Sequence, residues 1–121
     1  MDFINEELDK IKSMMRIIAE SAELEKFADK RYDGAKKISD NAKEKGGLAM
    51  LTYHHFKVKL PYYEKASEGK LDIEDTKKEY KDLLEKFYSA TKSGMNIEQI
   101  AFQELLGKLE VLGELIIKNK K

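Results

Sequence analysis

Asn96–Lys118, NIEQIAFQELLGKLEVLGELIIK, is the stretch that decides the fold. Its apolar residues (Ile97, Ala101, Phe102, Leu105, Leu106, Leu109, Leu112, Leu115, Ile116 and Ile117) recur three and four apart. That is the period of an α-helix and not the alternation of a strand. On a wheel of about 100° per residue they cover an arc of about 200°, where a surface helix needs little more than ~100°. A helix with so wide an apolar arc is expected to sit centrally in a bundle or to pack against a second chain. Asn96 with Gln99 three residues on is a capping box that starts it. Gly107 and Gly113 each cost about 1 kcal/mol in a helix interior. They read either as points of close backbone approach or as tolerated surface glycines.

Working back toward the N-terminus, every segment has the same helical period. A fourth segment starts at Asp72, with Glu74 and Asp75 behind it, and runs to Ser93 before Gly94. Its stripe (Ile73, Thr76, Tyr80, Leu83, Leu84, Phe87 and Thr91) is narrow, which places it on the bundle surface. A third covers Leu48–Ser67 and contains Pro61, the one proline of the chain. Proline inside a helix kinks it or forces a restart. Gly46-Gly47 separates this segment from a second, Ala22–Lys45, as a terminator or hinge.

The stripe of the second segment is Leu24, Phe27, Ala28, Ala35, Ile38 and Ala42. A first segment, Phe3–Glu20, has its own stripe at Ile4, Leu8, Ile11, Met14, Met15 and Ile18, with Glu6 and Lys10 as a supportive pair on the flank. The two stripes lie on nearly opposite sides of one wheel. Either the helix breaks near Ser21, acting as an N-cap with Glu23 in the first turn, or one long helix meets two different partners. The expected fold is all-α, a single domain of four to five antiparallel helices over residues 1–121, completed by dimerisation.

Composition narrows the function. Lys plus Arg is 23 and Asp plus Glu is 23, so the formal charge is zero, and arginine occurs only at Arg16 and Arg31. Zero net charge and scarce arginine argue against a nucleic-acid role or a membrane-surface role. The basic tail Lys118-Asn119-Lys120-Lys121 reads as a helix C-terminus dressed with favourable cations. No apolar run reaches the ~18 residues of a membrane span, and the acidic start MDFINEELDKIK is unlike a signal peptide. With no cysteine in the chain, disulfides and cysteine chemistry are excluded, and a cytoplasmic location is expected. The charged fraction of 38% is dominated by Lys and Glu, a bias shared by hyperthermophile proteins and by the products of AT-rich genomes.

Specific motifs are missing. Neither histidine follows a glutamate by three residues, as a di-iron bundle requires. HExxH, a phosphate-binding Gly-x-x-x-x-Gly-Lys and an EF-hand loop are all absent. Carboxylate pairs three apart (Glu6/Asp9, Glu20/Glu23, Glu79/Asp82) read as solvated faces balancing nearby lysines. No cofactor or metal is expected.

The candidate ligand-binding residues lie in the third segment. Thr52, His55 and Lys59 fall in the middle of the apolar face made by Leu48, Leu51, Val58, Tyr62 and Ala66. A histidine and a lysine on such a face need partners. They form either a ligand site closed by Tyr62 and Tyr63, or a satisfied core histidine beside a snorkelling lysine. Arg31, near the centre of the second segment's face, wants a carboxylate or a ligand anion, with Glu7 and Glu104 as candidates. The function expected from these features is a non-enzymatic, self-associating interaction protein, most simply a homodimer. The alternative is a ligand-binding or catalytic bundle around Thr52, His55 and Lys59.

Overall fold

The computed structural model describes the backbone of residues 2–119 and the side chains of residues 23–119. Five helices follow in order: α1 (Asp2–Lys45), α2 (Ala49–Lys57), α3 (Leu60–Ser67), α4 (Ile73–Lys92) and α5 (Ile100–Asn119). No strand occurs among the described residues. The stripe at residues 4–18 and the suggested cap at Ser21 lie outside the described side chains. The backbone nevertheless settles the choice posed there, because α1 is one continuous helix of 44 residues, about 66 Å at a rise of ~1.5 Å per residue.

Local chemistry places the breaks. Gly46 and Gly47 both take positive φ, 65° and 56°, which turns the chain back on itself at the end of α1. Pro61 sits in the first turn of α3, where its missing N–H costs nothing, so the third segment restarts at Leu60 as two short helices. Asp72 caps α4 by accepting hydrogen bonds from the Glu74 and Asp75 backbone N–H groups. The capping box also forms: Gln99 Oε1 accepts from the Asn96 N–H and Asn96 Oδ1 from the Glu98 N–H. Regular α5 begins just after it, at Ile100.

α1, the α2–α3 arm, α4 and α5 alternate in direction. The α2–α3 arm returns along α1, so that Ala42 lies near Ala49 at one end and Leu24 near Ala66 at the other. Ala28, Ala35 and Ala42, all buried and seven apart, keep that face of α1 low enough for the arm to lie close. α4 covers the far side of α5, where Phe87 meets Phe102 and Tyr80 faces Gly113. α5 runs between α4 and the α1/α2–α3 layer, and Val111, Leu112 and Leu115 are its fully buried side chains. Of the two places expected for this helix, in the centre of the bundle or against a second chain, the first is observed within the chain. α4, with only Thr76 and Leu83 buried, is the surface helix.

Several details differ from the wheel, among them Ile97 and Ile117 of the α5 arc, which are 64% and 65% exposed. Leu48 is 87% exposed, because it belongs to the turn before α2 and not to the packed face. Ile38 is 41% exposed at the margin of the α1 face. Val111 lies on the side of α5 that the apolar arc leaves out, yet it is fully buried. α5 is therefore covered on its polar side as well, for a reason that lies in Gly107.

A Cβ placed at Gly107 would collide with the His55 carbonyl oxygen and would lie 2.8 Å from Val58 Cγ2. At Gly113 the nearest atom, Tyr80 Cε2, is at an ordinary 3.5 Å. Opposite outcomes are expected in urea denaturation. Gly107→Ala should lose about 1–3 kcal/mol through overpacking against backbone. Gly113→Ala should gain about 0.5–1 kcal/mol from helix propensity.

Candidate functional site

The polar residues of the α2–α3 arm meet a matching row on α5. His55, Lys59 and Tyr63 are spaced four apart and rise along one side of the arm. Gln103, Gly107, Glu110 and Glu114 are spaced three and four apart on the facing side of α5. The two rows run in the same direction and interlock rung by rung. His55 Nδ1 is 3.0 Å from Gln103 Oε1, and His55 Nε2 is 3.2 Å from Glu110 Oε1. Lys59 Nζ donates to the same Glu110 oxygen at 3.0 Å. The Tyr63 hydroxyl donates to Glu114 Oε2 at 3.1 Å.

Gln103 is itself oriented, because its Nε2 donates to the Ile97 carbonyl at 2.7 Å. Its oxygen is thereby turned toward His55. Both ring nitrogens of His55 thus face side-chain oxygens of α5. Lys59 is 6% exposed, and its ammonium also lies 4.7 Å from the centre of the Phe56 ring.

Glu110 is the hub. Burial works to raise its carboxyl, but the Lys59 hydrogen bond and charge, with His55 behind them, outweigh that and hold it below its ordinary value. Burial, then the neighbouring Glu114 charge and hydrogen bond, push the Tyr63 hydroxyl well above its ordinary range. Tyr62 is shifted the same way by burial and by its hydrogen bond to Glu79 of α4.

Arg31 joins the row from α1. Its Nε lies 2.8 Å from Glu114 Oε1, so this buried oxygen has a charge partner, and it accepts no hydrogen bond. Beside it, Arg31, Ala35, Phe56, Lys59, Tyr63 and Glu114 line part of a cavity of about 170 Å³.

Of the six sequence candidates, the structure brings together Arg31, His55, Lys59 and Tyr63. Tyr62 turns away toward α4. Thr52 does not lie in the middle of a buried face. It is exposed and borders a separate groove with Ile38, Asn41, Ala42, Lys45 and Ala49. The reason is that α2 leans on α5 through His55, which rotates Thr52 outward. Arg31 is likewise exposed, 58% for its side chain, and its partner is Glu114 and not Glu104, while Glu7 lies outside the described side chains. The sequence reading missed Gln103, Glu110 and Glu114. Their signal is a carboxylate row flanking a glycine, at the same helical spacing as a His–Lys–Tyr row elsewhere in the chain.

Among the described residues, no three His, Asp or Glu side chains gather around a common point that could hold a metal ion. None of the described helices is long and apolar enough to cross a membrane. Comparison with protein-family models, with curated proteins and with solved structures finds no match for the chain. What this arrangement does chemically is hold two helices in register.

The network gives stability a pH dependence. A carboxyl whose folded value is depressed stabilises fully above its ordinary value, here 4.5, and that stabilisation is lost as pH falls below it through the folded value. The urea midpoint should therefore drop below about pH 4.5, and Glu110→Gln should flatten that drop. Glu110→Ala should cost about 1–3 kcal/mol at neutral pH, because the buried Lys59 ammonium loses its acceptor. Adding Lys59→Met should recover part of that loss.

Proposed function

We propose that this chain is a non-enzymatic interaction protein that works as a homo-oligomer of at least two copies. One observation carries the reading. The side chains on which a bundle enzyme would draw, His55, Lys59 and Tyr63, are each engaged with a side chain of α5. Groups committed in this way fix packing and are not free to hold substrate. The chain's remaining resource is surface, and α1 supplies it. The α2–α3 arm and the end of α5 reach the level of Leu24, while α1 continues back to Asp2 as helix with a second stripe on its opposite side. Self-association is the common use of such a face in soluble proteins.

A second reading, a small-ligand site, is supported by the cavity beside Arg31, where Glu114 Oε1 has no donor. A hydroxyl or amine would complete that oxygen.

Native mass spectrometry of the full chain at tens of micromolar separates the two readings. Multiples of the chain mass with nothing added are the expected result. A monomer that carries no extra mass and binds nothing from lysate would sink the interaction reading. A retained small molecule, lost on Glu114→Ala, would establish the cavity instead.

A further inference from the structure

The part of α1 before Glu23 has a finer pattern than a plain stripe. Ile4, Leu8, Ile11, Met15 and Ile18 are spaced four, three, four and three. That is the 3.5-residue period of a coiled-coil seam, narrower than the face of a helix lying on a globular core. The spacing puts Leu8 and Met15 at position a, and Ile4, Ile11 and Ile18 at position d. We infer that residues 4–18 form a parallel, in-register coiled coil with the same segment of two or three further copies. This rests on the self-association proposed above, and it names the segment, the direction and the number.

Three observations carry it. The first is the continuity of α1. Fewer than three heptads do not hold an isolated peptide in helix, because nucleation is costly. Here residues 2–22 prolong a helix that the α2–α3 arm already fixes from Leu24 onward, so each copy brings a helix already begun. The seam also ends where the bundle begins: the next a is Ala22 and the next d would be Glu25, at the level where Ala66, Leu71 and Asn119 gather.

The second is charge. Glu7 occupies g and Lys12 the e of the following heptad. In a parallel pair, g of one copy adjoins that e of the next, and an acid meets a base at every interface. In an antiparallel pair g adjoins g and e adjoins e, and the match is lost. The complement of this segment is therefore another copy of itself, running the same way.

The third is the kind of residue at the seam. Isoleucine at d with leucine at a shifts preference from two strands to three or four. The pattern here has isoleucine at every d, with leucine and methionine at a. Met14 at g adds apolar width, which suits a helix touching two neighbours at once.

The absence of cysteine makes the test clean. Ile4→Cys, Ile18→Cys and, at the outward f position, Ser13→Cys are each made in the full chain and oxidised, and the mass of the native assembly is measured alongside. A parallel, in-register seam predicts three or four copies, with disulfide-linked pairs for both Ile4→Cys and Ile18→Cys and none for Ser13→Cys. Ile11→Asp should weaken assembly at least tenfold while circular dichroism shows the bundle still helical. A dimer, or any oligomer in which the Ile4→Cys and Ile18→Cys proteins fail to cross-link, overturns the seam and leaves self-association standing. Such an oligomer would be held elsewhere, for example through the groove of Tyr80, Leu84 and Ile116 between α4 and α5. A monomeric wild-type chain overturns both.

Discussion

The close approach of α5 to α2 at Gly107 is the constraint on which the rest of the bundle depends. A glycine there lets the His55 backbone carbonyl sit where a side chain would otherwise be. Helices normally pack 8–10 Å apart, at a distance set by the side chains between them, so removing one side chain brings the axes together. Closeness then makes the polar rungs short enough to form. Gln103 and Glu110, four before and three after Gly107, reach His55 from either side, and Glu110 also reaches Lys59. A helix that costs about 1 kcal/mol of propensity at this position gains a register in return.

That register explains why the charges lie inside. A buried lysine opposite a half-exposed carboxylate is a modest source of stability, since the desolvation of the ammonium offsets much of the attraction. Its effect is on specificity. A slide of one turn that brought Gly107 opposite Lys59 in place of Glu110 would leave the ammonium without its acceptor, an error that apolar packing alone would penalise less. The Tyr63–Glu114–Arg31 contacts extend the same discrimination to α1, so three elements share one alignment.

α1 divides its labour along its length. From Leu24 to Ala42 its small buried residues receive the returning arm, and that half is the wall of a domain. Before Glu23 the sequence has its second stripe, Ile4, Leu8, Ile11, Met14, Met15 and Ile18, on nearly the opposite side of the wheel. No glycine or proline intervenes, so the backbone passes from one task to the other without a joint.

Much of this was legible in the residues alone. Helical period, the stops at Gly46-Gly47 and Gly94, the cap at Asp72 and the restart at Pro61 are consequences of local backbone chemistry, and local chemistry is complete within a few residues of chain. The central place of α5 followed from the breadth of its apolar arc. His55, Lys59, Tyr63 and Arg31 stood out because charged and polar groups at helical spacing on an apolar face need partners. Which partners they have was not legible. Gln103, Glu110 and Glu114 lie on what the wheel marks as the solvent side of α5, and a wheel has no information about the neighbour that approaches it. Thr52 was misplaced for the same reason, since the rotation of α2 is set by a contact far away in the chain, His55 against Gly107. Sequence determined the stops at Gly46-Gly47, Pro61 and Gly94 and which residues want company, and it left open whether α1 breaks near Ser21. Only tertiary structure decided which faces meet, because that depends on how near two helix axes can come, and here a single missing side chain controls that distance.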